Sequence, residues 1–252
     1  MAKVAVITGA SSGIGRATAE LFAKSGYSLA VIARREALLT TLVESLKGQN
    51  PGGQFIAYAG DVSSWTGVEA IAKKIEADWP QVNVLINNAG AFDYAPLEKA
   101  STEKIDEMIH VNIRGVIATS RYLLPSLRKG VGRGGARIIN VSSIAGLWGF
   151  PSMAAYSATK FAVAGFSSAL DRELKKQGIS VSTIFPGPVN TKLAKGTRPE
   201  KKMVKIPEDI AKQLLQMAEG SAKKKVHPLF NALSWLDQVS SPTVDKILKK
   251  IL

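Results

Sequence analysis

The sequence predicts an α/β chain built on one parallel sheet that helices cover on both faces. Short apolar runs of strand length alternate with stretches of helical spacing from residue 2 to about residue 220, the pattern of a doubly wound parallel sheet. The first apolar run, Ala2 to Ile7, passes directly into a glycine-rich turn that opens a helix. Later apolar runs end in polar, chemistry-bearing residues, at the strand ends where parallel sheets bind ligands. The 252 residues suit one unit, because α/β folds of this length are routinely single. The expected organisation is therefore one domain over 1–252, with 188–252 forming a substrate-loop and C-terminal helical region within it. The longest polar insert, Lys47 to Gln54, is a helix-to-strand connection containing Gly and Pro.

In order along the chain, the first turn reads Thr8-Gly9-Ala10-Ser11-Ser12-Gly13-Ile14-Gly15, and a helix follows over Arg16 to Ser25 with Ala17, Leu21 and Phe22 on one face. Glycines at 9, 13 and 15 remove side chains where the backbone bends sharply and approaches a pyrophosphate. The helix N-terminus adds free N–H groups and partial positive charge. The turn with Ser11, Ser12 and Ile14 is thus a dinucleotide-phosphate cradle. The next strand, Ser28 to Ala33, ends in Arg34 and Arg35. An acidic residue there would hold a ribose 2′-OH, whereas two guanidiniums accept a 2′-phosphate. The prediction is NADP(H), with Arg16 available as a third cation and Glu36 as a competing anion.

Further on, the strand Ala136 to Val141 delivers Ser142 and Ser143 at its C-terminal end, and a hydroxyl there can donate to a substrate oxygen. Tyr156 and Lys160 are four residues apart in a helical stretch, so a phenol and an ammonium share one face. A fixed positive charge favours the phenolate and draws the tyrosine pKa toward the working range. Hydride arriving at a carbonyl carbon places negative charge on the oxygen, which a hydroxyl stabilises and the phenol protonates.

Thr8 to Gly15, Asn87-Asn88-Ala89-Gly90, Ser143, Tyr156 with Lys160, and Pro186-Gly187 are similar in order and spacing to the short-chain dehydrogenase/reductase family. The resemblance implies a Rossmann-like seven-stranded parallel sheet in a three-layer α/β/α sandwich, and carbonyl or alcohol redox chemistry at a nicotinamide. It implies Ser143, and not Ser142, as the carbonyl-binding hydroxyl, Tyr156 as the general acid, and Lys160 as the residue that also binds the ribose. Asn112 would connect the lysine to a water; a helix residue bonding a backbone carbonyl between elements is the other reading. Asp61 and Val62 would meet the adenine, and Asn88, Ala89 and Gly90 the adenosine. Pro186, Gly187, Val189 and Thr191 would border the nicotinamide. The pocket walls would carry Trp148, Phe150, Met153 and Leu193, favouring a bulky hydrophobic ketone, aldehyde or secondary alcohol, and the loop Thr191 to Ile206 would act as a lid. A homodimer through the helices holding Asn112 and Tyr156, or a homotetramer, is the implied assembly.

The chain has no cysteine and two histidines, so neither a disulfide framework nor a Cys/His zinc site is available and no metal is expected. His110 and His227 read as packing or surface residues. No run of 18 apolar residues and no signal peptide is present, so a cytoplasmic protein that does not span a membrane is expected. The net charge is +13, and residues 192–252 hold 13 Lys and Arg against 6 Asp and Glu. That basic side suits an anionic substrate, an acidic membrane surface or the cofactor phosphates. Lys223-Lys224-Lys225 lacks interleaved aromatics, and no nucleic-acid partner is expected. The ending departs from the Val-Asp-Gly-Gly-like close of many family members. Amphipathic stretches at Leu229 to Leu236 and Val244 to Leu252 replace it, which disfavours acyl-carrier-protein ketoreduction and leaves packing or peripheral membrane contact. The alternative function is a catalytically silent NADPH-binding regulator, or a peripheral membrane or interaction protein, on the same fold.

Overall fold

The structure is a computed structural model that describes residues 2–191 and 204–220 and the backbone of 224–226. Leu193, most of the expected lid, His227 and both C-terminal amphipathic stretches lie outside the described residues.

Five of the strands are runs of β-branched and small apolar residues, buried on both faces: β1 (Val4–Thr8), β2 (Ser28–Ala33), β4 (Val84–Asn87), β5 (Ala136–Val141) and β6 (Ile179–Phe185). Such continuous burial is the mark of a sheet covered by helices. β3 (Phe55–Ala59) borders one edge. These six strands pair in parallel in the order β3-β2-β1-β4-β5-β6, and the three-residue β7 (Lys224–Val226) extends the sheet beside β6. Strand order reverses between β1 and β4, where Ile7 pairs with Ile86. A crevice opens above the C-terminal ends of the strands at such a point.

Alternation along β1 sorts its side chains into two cores. Ala5 and Ile7 join one with α1 (Gly13–Lys24), α2 (Glu36–Gln49) and α7 (Pro207–Ala218), anchored by Phe22, Leu42 and Leu214. Val4 and Val6 join the other with α3 (Trp65–Asp78), α4 (Thr102–Ile109), α5 (Gly115–Val131) and α6 (Ala154–Leu174), anchored by Ile75, Met108 and Leu123. The result is the expected doubly wound α/β/α sandwich. No helix among the described residues is long and apolar enough to cross a membrane.

A buried polar network lies beneath the crevice. Asn87 Nδ2 donates to Asn140 Oδ1 at 2.8 Å and to Ser120 Oγ at 3.1 Å, and Asn140 Nδ2 donates to Ser167 Oγ at 2.8 Å. Thr119 Oγ1 donates to Asn87 Oδ1 at 2.6 Å. These bonds tie α5 and α6 to β4 and β5. Breaking one leaves a partner buried and unpaired, at a cost of about 1–3 kcal/mol.

Candidate active site

The crevice is a cleft of about 980 Å³ bordered by the ends of β1, β2, β4, β5 and β6. At its β1 end the chain turns through Gly9 at φ 67° and Gly13 at φ 55°, backbone that glycine adopts without strain. A Cβ at Gly9 would stand 2.8 Å from Ala89 Cα, and one at Gly13 3.2 Å from Thr191 Cγ2. The turn is thus seated between the loop after β4 and the segment after β6. No acidic residue occupies the first turn of α1, and no side chain caps it, so the helix presents its positive end to the cleft. Gly15 does not line the cleft; its would-be Cβ meets Gly9 O at 2.3 Å and Asn88 Nδ2 at 2.6 Å. This corrects its assignment to the cofactor: the close passage of α1 beneath the turn requires it.

The loop after β4 is stapled to β1. Asn88 and Ala89 N–H both donate to Thr8 Oγ1 at 3.0 Å, and Asn88 Nδ2 donates to Thr8 O at 2.9 Å. At the end of β2, Arg35 Nη2 donates to Ser11 Oγ and Ser12 Oγ, each at 2.9 Å. Arg34 lies 3.8 Å from Glu107 and is largely exposed. Both arginines, Asp61 and Val62 line the cleft, and Asp61 Oδ1 accepts from Ser63 N–H at 2.9 Å. Arg16, the suggested third cation, instead pairs with Glu20 at 3.0 Å one turn along α1, away from the cleft. No ion pair joins Glu36 to either arginine among the described residues.

At the other end the structure brings together Ser143, Tyr156 and Lys160. The two serines after β5 separate. Ser142 Oγ donates to Lys160 O at 2.9 Å, whereas the Ser143 hydroxyl lies beside the Tyr156 phenol and accepts from Ala145 N–H at 3.2 Å. Lys160 Nζ donates to Val141 O at 3.1 Å and stands 5.6 Å from the centre of the Tyr156 ring. Burial pushes the Tyr156 phenol up to about 12, with the Ser143 hydroxyl pulling the other way. Burial also draws Lys160 down to about 8. The expectation that Lys160 draws the phenol down is thus corrected: a dry site disfavours charge on either group. The site holds a phenol that keeps its proton beside an ammonium that is protonated at neutral pH.

Asn112 lies in a π-helical turn, His110–Arg114, between α4 and α5, and is fully buried. Its amide is committed within the protein. Nδ2 donates to Ala91 O at 2.9 Å and Thr159 Oγ1 at 3.0 Å, and Oδ1 accepts from Ala91 N–H at 2.8 Å. The side chain therefore joins the loop after β4 to α6, one residue before Lys160.

Gly90, Pro186, Gly187, Val189, Thr191, Ser11, Ser12, Ile14, Phe150 and Met153 all line the cleft. Trp148 does not: it is 3% exposed and is not among the residues that line the cleft. The pocket assignment of Trp148 is corrected for that reason. Sequence reasoning missed Phe92 and Tyr94, which line the cleft from the loop after β4. Their signal was position, directly beyond Asn87-Asn88-Ala89-Gly90 at a strand end.

Residues 3–202 match the family model described as short chain dehydrogenase. A short chain dehydrogenase of Pseudocercospora fijiensis is 37% identical over 194 residues, 76% of this chain and 61% of that protein. The 3-oxoacyl-[acyl-carrier-protein] reductase of Homo sapiens is 35% identical over 209 residues, 82% of this chain and 84% of that one. Among solved structures, the alcohol dehydrogenase of the archaeon Thermococcus sibiricus complexed with 5-hydroxy-NADP is 31% identical with a TM-score of 0.80, covering 90% of this chain and 95% of that one. The chain belongs to the short-chain dehydrogenase family of oxidoreductases.

Proposed function

We propose that this protein is an NADP(H)-dependent reductase of hydrophobic ketones and aldehydes, running in reverse on secondary alcohols. The observation that carries the reading is one cleft with two guanidiniums at one end and Ser143, Tyr156 and Lys160 at the other. Arg34 and Arg35 stand where an NAD-selecting carboxylate would stand, and they suit a 2′-phosphate by charge and fork geometry. The complex of the archaeal relative with 5-hydroxy-NADP supports the same choice. The glycine turn and the uncapped start of α1 fit the pyrophosphate. On the same reading the protein is a cytosolic homodimer or homotetramer acting on a small molecule.

When bound, NADPH supplies a hydride from its nicotinamide ring to the carbonyl carbon. Ser143 donates its hydroxyl to the carbonyl oxygen as negative charge gathers there. Tyr156 passes its phenolic proton to that oxygen and becomes a phenolate; the Lys160 ammonium stands 5.6 Å from the centre of its ring. A solvent proton then reloads the phenol. Asn112 keeps α6 in register with the loop after β4 through Thr159 and Ala91. Phe150 and Met153 exclude water and favour an apolar substrate.

The test is NADPH oxidation, followed at the nicotinamide absorbance, with a panel of aldehydes, ketones and a 3-oxoacyl thioester, and NADH run alongside. Tyr156→Phe is expected to bind NADPH as wild type does and to lose turnover by at least about a hundredfold. NADPH binding with no turnover of any carbonyl would overturn the reading.

A further inference from the structure

Two side chains meet the ring of Tyr156, one from the loop after β4 and one from the next turn of α6. Phe92, from the loop after β4, sets its ring 4.7 Å from the Tyr156 ring at an interplanar angle of 90°. The Lys160 ammonium lies over the same ring at 5.6 Å. The tyrosine is therefore held by an edge-to-face aromatic contact as well as by a cation. The backbone fixes this arrangement: Ala95 N–H donates to Ser152 O at 2.9 Å, tying the segment with Phe92 and Tyr94 to the turn that enters α6. Ser152 stands at φ 60°, a left-handed conformation that a serine keeps only where its surroundings impose it. Phe150 and Met153 belong to that same turn and line the cleft with Phe92 and Tyr94. Tyr94, half exposed, stands on the solvent side of this wall.

Resting on the reductase reading above, we propose that Phe92 is the positioning residue for Tyr156, and that Phe92, Tyr94, Phe150 and Met153 select carbonyl compounds with a flat aromatic group beside the C=O. A proton donor must keep its oxygen within a few tenths of an ångström of the productive position. The Ser143 hydroxyl lies beside the phenol and favours its ionised form, and the Phe92 contact fixes the plane of the ring. An aryl substrate adds one more ring to this group, in an offset or edge-on contact that aromatic pairs favour. A small polar carbonyl would leave the same rings facing water.

The experiment compares wild type, Phe92→Leu and Phe92→Tyr in NADPH oxidation with acetophenone and with propanal, and measures NADPH Kd by nicotinamide fluorescence. Leucine keeps apolar bulk without a ring, and tyrosine keeps the ring. Phe92→Leu is expected to keep NADPH Kd within about twofold while lowering kcat about tenfold on both substrates, the size of one lost aromatic pair. It is also expected to raise KM for acetophenone and not for propanal, and Phe92→Tyr to restore kcat. Unchanged kcat in Phe92→Leu overturns the positioning role, and so does a parallel loss of NADPH binding, which would make Phe92 a structural residue only. Wild-type turnover of propanal without acetophenone overturns the substrate assignment and leaves the reductase standing. NADPH binding with turnover of neither of these nor of any carbonyl in the wider panel removes both.

Discussion

Ser142 and Ser143 leave β5 side by side, and extended backbone points neighbouring side chains in opposite directions. One hydroxyl meets the carbonyl of Lys160, and the other meets the Tyr156 phenol. Ser143→Ala should lower kcat about a hundredfold with stability preserved. Ser142→Ala should cost about 1–2 kcal/mol of unfolding free energy and leave kcat near wild type; steady-state kinetics and urea unfolding separate the two. In the sequence, Ser143 is selected by the resemblance to the family, whose spacing to the tyrosine it matches. The partner that engages Ser142 lies 18 residues away on another element and has no local signal. Charge at the site was less legible still, because it depends on burial. Lys160 at about 8 lies below its ordinary 10.5, so between those values the unfolded chain binds more protons and stability rises with pH. Tyr156, raised from 10 to about 12, acts in the opposite sense above pH 10. The gain is therefore confined to about pH 8–10. Relative to Lys160→Met, wild type should gain about 2 kcal/mol between pH 7.5 and 9.5 in denaturant unfolding.

Among the elements, the glycine turn and the loop after β4 act as one part. Their contact explains why glycine spacing was readable while the purpose of each glycine was not. Gly9 and Gly13 bend the chain and admit Ala89 and Thr191, whereas Gly15 lets α1 pass beneath the Gly9 carbonyl. Gly15→Ala should cost more than about 2 kcal/mol, because a Cβ 2.3 Å from Gly9 O moves backbone and not a flexible side chain. Gly165, inside α6 with nothing within 4 Å of a Cβ, gives the opposite result. Gly165→Ala should stabilise by about 0.5–1 kcal/mol, since alanine loses less backbone freedom on folding. Thermal and denaturant unfolding of the pair would test both signs. Asn112 shows the same limit of sequence reading. Its place in a helix was legible, but its partners Ala91 and Thr159 come from elements 21 and 47 residues away.

Over the whole molecule, the reversal of strand order divides the cleft between two halves of the chain. The half through β3 supplies the phosphate turn and the arginines, and the half from β4 onward supplies the serine, tyrosine and lysine. That division was readable from alternating apolar runs, because a parallel sheet needs a crossover helix between successive strands. Lys223-Lys224-Lys225 was readable only as charge, since a lysine run carries no periodicity that places it, and the structure puts Lys224 and Lys225 on the edge strand β7. A dinucleotide spanning both halves binds the folded chain alone, so it stabilises the fold as a unit. At a concentration 100 times its Kd, NADPH should add about 2.7 kcal/mol, raising Tm by roughly 5–10 °C for a domain of this size. NADH at the same concentration should add less, because the guanidiniums at the end of β2 then meet a ribose hydroxyl and not a phosphate dianion. In Arg35→Gln the difference between the two shifts should shrink while the NADH shift stays near wild type. Equal shifts for both nucleotides in wild type would instead place the adenosine end beyond reach of Arg34 and Arg35, and the preference for NADP(H) would fall with it.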